Sequence, residues 1–219
     1  EDYMGSSPRI REAIRLVRSV APTEASVLLL GESGTGKELV ARTIHNLSPR
    51  KGGPFVPVDC AAIPETLIES ELFGHERGAF TGATSVHKGK FEAAGGGTVF
   101  LDEVGNISPG VQSKLLRFLE SHEFERVGGD RPIKTSVRVI AATNADLMKD
   151  SQTGFRLDLF YRLNEFPIHL PPLRERREDI PLLCQRFLLQ MGPETGKAVQ
   201  EISPEAMEAG IKWQWTTFR

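Results

Sequence analysis

The chain holds only two cysteines, Cys60 and Cys184, and neither has the spacing of a metal-ligand set. A disulfide-stapled secreted scaffold and a cysteine-bound zinc site are thereby excluded, and the two read as reduced core thiols of a cytoplasmic protein. Charge of one sign is also missing. The 27 basic and 29 acidic residues leave a net charge of -2, without the positive field that non-specific DNA binding needs. No apolar run approaches the roughly 20 residues that span a bilayer, and no signal-peptide pattern opens the chain. Internal repeats and low-complexity stretches are absent. What remains is an ordinary globular composition, 39% hydrophobic and 26% charged over 219 residues, sufficient for one large domain or one domain with a small appendage. The first residues, beginning at Glu1, read as mid-protein sequence, so the chain is expected to be a piece of something longer.

Ser7-Pro8 predicts a helix start, a capping hydroxyl followed by proline at the first helical position. Ile10, Ile14, Val17 and Val20 then recur at helical spacing until Ala21-Pro22. Short apolar runs at 27–30, 55–58, 99–101 and 137–142 predict buried strands, with a weaker one at 168–170. Helical patterns between most of them argue for an α/β fold, a mostly parallel five-stranded sheet with helices on both faces. Pro171-Pro172 reads as a hinge. Beyond it, Ile180, Leu183, Phe187 and Leu188 form a helical stripe with no further strand evident, which divides the chain into a core at 1–173 and a small helical subdomain at 174–219.

The stretch "VLLLGESGTGKELVARTIH" is a strand, a glycine-rich turn and a helix in that order. Gly31, Glu32, Ser33, Gly34, Thr35, Gly36 and Lys37 fit G-x-x-x-x-G-K, the P-loop pattern. Glycines let backbone N–H groups converge on phosphate oxygens, the helix N-terminus adds partial positive charge, and Lys37 supplies a full one. The bland alternative is a chance glycine turn before a helix. The hydroxyl expected after the lysine is replaced by Glu38, a stronger Mg²⁺ ligand that also places negative charge beside the phosphates.

In "GGGTVFLDEVGN" two acids end an apolar strand. Asp102 suits Mg²⁺, directly or through water, and Glu103 can polarise a water for in-line attack on a γ-phosphate. A solvated turn after a strand is the competing reading. The strand "VRVIAATN" ends in Thr143-Asn144, where the ligand crevice of an open α/β sheet lies. Asn144 there either orients the attacking water or simply caps a turn. In "FRLDLFYRL", Arg156 and Arg162 stand six residues apart. On a helix, Leu157, Phe160, Tyr161 and Leu163 are expected to pack inward, leaving the guanidinium groups as surface charges or as arginine fingers offered to a neighbour's phosphates. Finally, Gly78, Ala79, Phe80, Thr81, Gly82 and Ala83 form a glycine-flanked loop with one aromatic ring at its middle. Phe80 reads either as an interaction anchor or as a ring folded back into the core.

Taken in order, GESGTGKE, CAAIPETLIESELFGHERGAFTGA, GGTVFLDE, RVGG, AATNADL, FRLDLFYRLN and LPPLRERREDI resemble the central AAA+ ATPase domain of bacterial enhancer-binding proteins, the activators of sigma-54 RNA polymerase. The resemblance runs from about Met4 to Met207, and GAFTGA is nearly a signature of that family. It implies a hexameric ring binding ATP with Mg²⁺ at each subunit junction. It makes Glu38 the usual residue of the family's P-loop, Asn144 its first sensor, and Arg156 and Arg162 its fingers, with Arg162 acting in trans. The stretch 123–134 falls on a second pore-facing loop. Phe80 is then the apolar contact to the sigma-54 factor and Thr81 its polar neighbour. Gly78 and Gly82 become the hinge by which hydrolysis moves the finger, so that the closed promoter complex can melt. DNA specificity is expected from a separate domain.

Two departures stand against the pattern. Asp59 occupies a place where the family usually has Asn, a switch residue, and an Asp facing Glu103 would repel it. The ending "SPEAMEAGIKWQWTTFR" diverges after Trp215, and Arg219 does not fall on the second sensor position, so the lid reads as truncated. The alternatives are an ATP-binding sigma-54 interaction module with little turnover, and a generic AAA+ remodeller of another protein, which GAFTGA argues against.

Overall fold

The computed structural model describes residues 5–148, 154–195 and 201–213. Met4, Trp215 and Arg219, on which parts of the sequence reading rest, lie outside the described residues. Helix α1 (Pro8–Val20) begins as its sequence dictates, with the Ser7 hydroxyl accepting from the Ile10 N–H and Pro8 in the first turn. Its buried stripe is Ile10, Ala13, Val17 and Val20. The carbonyls at its C-terminus are collected by Arg138, 2% exposed, which donates to Val20, Ala21 and Ala25 at 2.9, 2.8 and 3.3 Å. A cation at the negative end of a helix, with each of its three nitrogens donating to a carbonyl, is a stable way to bury a guanidinium.

Strands β1 (Val27–Leu30), β2 (Phe55–Asp59), β3 (Thr98–Asp102), β6 (Arg138–Thr143) and β7 (Phe166–His169) form one sheet in the order β2-β3-β6-β1-β7. Each neighbouring pair is parallel. Side chains alternate to opposite faces along each strand. Leu28, Val99, Leu101 and Ala141 join the layer that holds α3 (Glu65–Phe73), α4 (Lys90–Ala93), α5 (Pro109–Ser121) and α6 (Leu157–Leu163). Val27, Leu29, Phe100 and Ile140 join the layer of α1 and α2 (Lys37–Leu47). Because the strands are parallel and in register, their carboxyl ends share one edge: Leu30 lies beside Thr143, and Asp59 beside Asp102. That edge positions the site.

A short antiparallel hairpin, β4 (Glu123–Glu125) with β5 (Pro132–Lys134), stands outside the main sheet. It occupies the stretch read as a second loop. After a 3-10 turn at Leu173–Glu175 come α7 (Ile180–Thr195) and α8 (Pro204–Lys212), with no strand among the described residues beyond β7. No helix of the described residues is long and apolar enough to cross a membrane.

Two expectations about packing need correction. Leu157 and Tyr161 do not pack inward; they are exposed, whereas Leu159 and Leu163 are buried. Leu163 and the half-buried Phe160 do pack against the core as expected, joined by Leu159, while Arg156 is the N-cap of α6 rather than part of it. Cys60 is a core residue, but Cys184 on α7 is only half buried.

Candidate functional site

At the carboxyl end of β1 the chain turns through Gly31, whose N–H reaches the Thr143 carbonyl at 3.3 Å, and enters α2 at Lys37. Gly36 sits at the N-cap with φ 95°, and a Cβ placed there would meet nothing within 4 Å. The strain of a left-handed residue, not lack of room, is what calls for glycine. The open side of this turn and the free N–H groups of an 11-residue helix make a cradle for an anion. Ser33 and Gly34 form the crest of the turn, and the Thr35 hydroxyl donates back to the Glu32 carbonyl at 2.8 Å.

Lys37 is 6% exposed. Its Nζ donates to the carbonyls of Gly31 and Glu32 at 3.0 and 3.4 Å and to Glu103 Oε1 at 3.2 Å. Glu103 follows β3 with φ 51° and ψ 50°, a left-handed conformation that costs a non-glycine residue on the order of 1 kcal/mol. Its other oxygen accepts from the Asn144 backbone N–H at 3.1 Å. Asn144 thus meets the glutamate through its main chain, while its side chain is exposed at the same edge. Asp102 accepts from the Glu103 N–H at 3.0 Å. Burial lifts the Asp102 carboxyl above the ordinary range; Lys37 opposes this, while Glu103 and Asp59 add repulsion.

Asp59 is engaged locally at the end of β2. Its Oδ1 accepts from the N–H groups of Ala61 and Ala62 at 3.0 and 3.2 Å, and its strand neighbour is Asp102. Between these acids the Cys60 thiol is pushed up to about 12, first by burial and then by the charges of Asp59, Asp102 and Glu103. Glu38 is paired with Arg42 at 2.7 Å. Helical spacing provides that partner four residues on.

Two hollows flank the phosphate turn. One, of about 160 Å³, is mostly apolar, lined by Ile10, Leu39, Val40, Leu173 and Phe187 beside Thr35 and Gly36. The other, of about 500 Å³, lies by Gly31, Glu32, Asn144 and His169. A further cavity of about 470 Å³ opens at the opposite end of the sheet, by Ser26 and Arg138, and is therefore remote from the cradle.

Arg162 borders that remote cavity, which puts it away from its own chain's P-loop. It pairs with Glu165 at 3.6 Å and donates to the Leu119 carbonyl at 3.3 Å. Arg156 is bidentate to Asp158 at 3.0 and 2.7 Å and touches Ser113 Oγ at 3.2 Å. Neither joins the cradle within one chain.

The loop after α3 is an ordered turn rather than a loose one. Gly78 N–H bonds to the Ala83 carbonyl at 2.8 Å and Ala83 N–H to that of Phe80 at 3.0 Å, with Ala83 buried. Gly78 and Gly82 hold φ of 83° and 102°. Phe80 takes a position between the two readings of it: 41% exposed, yet with its ring edge-on to His75 at 4.9 Å. Thr81 is exposed beside it. His75 and His87 pair backbone to backbone at the stem, and Val127 of the hairpin connection joins them. Gly128 approaches Ala79 so closely that a Cβ there would meet Ala79 Cβ at 2.7 Å. Arg126 ties the hairpin to Glu76 and Glu92, at 2.8 Å each. Residues this far apart in sequence offer no local signal of contact, so the joining of the two loops could not be read from the chain.

Residues 3–169 match the sigma-54 interaction domain family, and residues 174–217 match the AAA+ ATPase lid domain family. A Nif-specific regulatory protein of Herbaspirillum seropedicae is 55% identical over 216 residues, 98% of this chain and 40% of that protein. The nitrogen fixation protein AnfA of Azotobacter vinelandii is 53% identical, over 98% of this chain and 40% of its own length. The chain therefore spans well under half of the curated relatives it matches. Among solved structures, NtrX from Brucella abortus in complex with ATP superposes with a TM-score of 0.90 at 40% identity, over 97% of this chain and 46% of that one.

Proposed function

The chain belongs to the sigma-54 interaction domain family, and from that premise we propose that it hydrolyses ATP and uses the cycle to move the GAFTGA loop against sigma-54. One observation carries the reading: Lys37, at the mouth of an anion cradle, is held by the glutamate that would serve as base. Triphosphate entering the cradle competes for the Lys37 ammonium. As Lys37 turns to phosphate oxygens, Glu103 loses its counter-ion and becomes free to take a proton from the attacking water. Binding thus arms the base. The apolar hollow by Ile10 and Phe187 suits an adenine, and the ATP complex of NtrX, similar over nearly the whole chain, supports that placement.

Magnesium fits this edge through Asp102. Among the described residues no three His, Cys, Asp or Glu side chains converge on a metal position, so phosphate oxygens and water would complete the coordination. The ion would neutralise charge on the phosphates, and it would also relieve the repulsion that raises Asp102. Asn144 would orient the water. Arg162, remote from its own cradle, fits a role at a neighbour's, which calls for a ring of subunits.

Phe80 is the proposed contact to sigma-54, with Thr81 beside it and Gly78 and Gly82 as pivots. Its contact with His75 gives a resting position from which the ring can be released. The relatives' regulatory names support a role in transcription activation, with DNA recognition in a separate domain. The test is capture of purified sigma-54 by this chain with ATP and magnesium, beside Lys37→Ala. Capture lost in the variant supports the reading; equal capture by both would sever nucleotide from partner.

A further inference from the structure

The segment 173–179, between the sheet and α7, grips the core at three places. Arg174 places its two terminal nitrogens on the two oxygens of Glu32, at 2.6 and 2.5 Å. Glu32 is the second residue of the phosphate turn. Arg176, 6% exposed, donates to the Thr35 carbonyl in the same turn at 3.2 Å. Asp179, fully buried, accepts from the N–H groups of Ser6 and Ser7 at the start of α1, at 2.6 and 2.8 Å. One short stretch therefore holds the phosphate turn at two points, anchors the helix that lines the base hollow, and leads directly into α7.

The Glu32 contact matters most, because of its charge. A carboxylate in a loop built to receive anions is a liability, since it repels what the loop must bind. The hydrogen bond from Arg174 holds the Glu32 carboxyl below the usual carboxylate range, and the same bond raises the Arg174 guanidinium. The two directions agree, so both groups are ionised near neutrality. A planar guanidinium meeting a carboxylate with both prongs is also a rigid joint, more so than a lysine would make.

We propose that Arg174 is a positioning residue of the nucleotide site, which neutralises Glu32 and transmits the occupancy of the phosphate turn to the hinge before α7. This rests on the reading of the turn as an ATP site and names a residue to which no role at that site was assigned from the sequence. With the turn empty, the guanidinium serves Glu32 alone. When phosphates arrive, the negative charge on that side grows, and the same guanidinium is drawn further toward the turn. ATP carries more charge than ADP, so it draws the hinge harder.

The test is the affinity of mant-ATP and of mant-ADP for the wild-type chain, Arg174→Ala, and Arg174→Ala combined with Glu32→Gln. Thermal unfolding of each is measured alongside; both side chains are partly exposed, so the fold should survive. Arg174→Ala is expected to weaken mant-ATP about tenfold, an uncompensated charge facing the phosphates, and mant-ADP by less. Adding Glu32→Gln should return mant-ATP to within about threefold of wild type, because the charge that needed neutralising is gone. A merely structural strut would weaken both nucleotides alike and would not be rescued; that result, or unchanged binding in Arg174→Ala, overturns the proposal. Absence of binding by the wild-type chain would instead fail the ATP-site reading itself.

Discussion

Lys37 and Glu103 form an ion pair across the phosphate turn at 3.2 Å, with side chains only 6% and 17% exposed. The lysine is the natural counter-ion of a phosphate and the glutamate the natural base for its hydrolysis, so the resting pair occupies both at once. On the proposed reading, nucleotide breaks this pair, and breaking it readies the chemistry. The left-handed backbone at Glu103 keeps the carboxylate turned back toward Lys37 and the Asn144 N–H.

Glu103→Gln separates the two halves of this arrangement. The amide still accepts a hydrogen bond but no longer holds Lys37 by charge, so ATP affinity should hold or rise. Hydrolysis should fall by about 100-fold or more, the usual contribution of a general base. Equilibrium binding and single-turnover hydrolysis on one preparation check both.

Asp59 has a local duty at the end of β2, holding the Ala61 and Ala62 N–H groups. Asp59→Asn keeps an acceptor for the Ala61 and Ala62 N–H groups, so its melting temperature should match wild type. Removing its charge should also let the Asp102 carboxyl titrate lower, since Asp59 contributes to raising it. Asp59→Ala loses both bonds and should cost about 1 kcal/mol by denaturant unfolding.

The Arg156 fork holds the Asp158 carboxyl down to about 2, from an ordinary 3.8. A lowered carboxyl stabilises the fold above its unfolded value and loses that contribution as pH falls through its folded one. The window is therefore about pH 4 down to pH 2. NMR titration should show Asp158 returning toward 3.8 in Arg156→Ala, while wild type still titrates near 2. The pair is exposed, so its weight in overall stability is small.

Phe80 offers a clean split between folding and partner binding. With 41% of it exposed and one ring contact, Phe80→Ala should leave the melting temperature within about 2 °C of wild type. Capture of sigma-54 should nevertheless be lost. A large fall in stability would show that the ring is chiefly a packing residue.

Much of this architecture is legible in the sequence wherever the signal is local. Ser7-Pro8 starts α1 where capping chemistry says it should, and the apolar runs become the sheet with ends shifted by a residue or two. The glycine turn and the acid pair at the end of β3 are likewise local patterns, each a few residues long at a strand end. The hairpin β4–β5 escaped because its strands have three residues each and carry charge, too short for any period to register. On α6, Leu159 and Leu163 are buried while Leu157 and Tyr161 are exposed, and seven residues, fewer than two full turns, are too few for the apolar period to fix the inward face. Arg174 and Glu32 are 142 residues apart. No spacing rule joins them, and only the folding of 173–179 back over the phosphate turn does so.

The most direct measurement is ATP hydrolysis per subunit across a wide range of protein concentration, beside Lys37→Ala and Arg162→Ala. Since Arg162 lies away from its own cradle, the expected rate climbs with concentration as subunits meet and vanishes in both variants. Equimolar mixing of the two variants should then restore part of it. A rate that stays flat and negligible while ATP still binds would contradict the motor, and leave a nucleotide-binding module that holds sigma-54 without driving it.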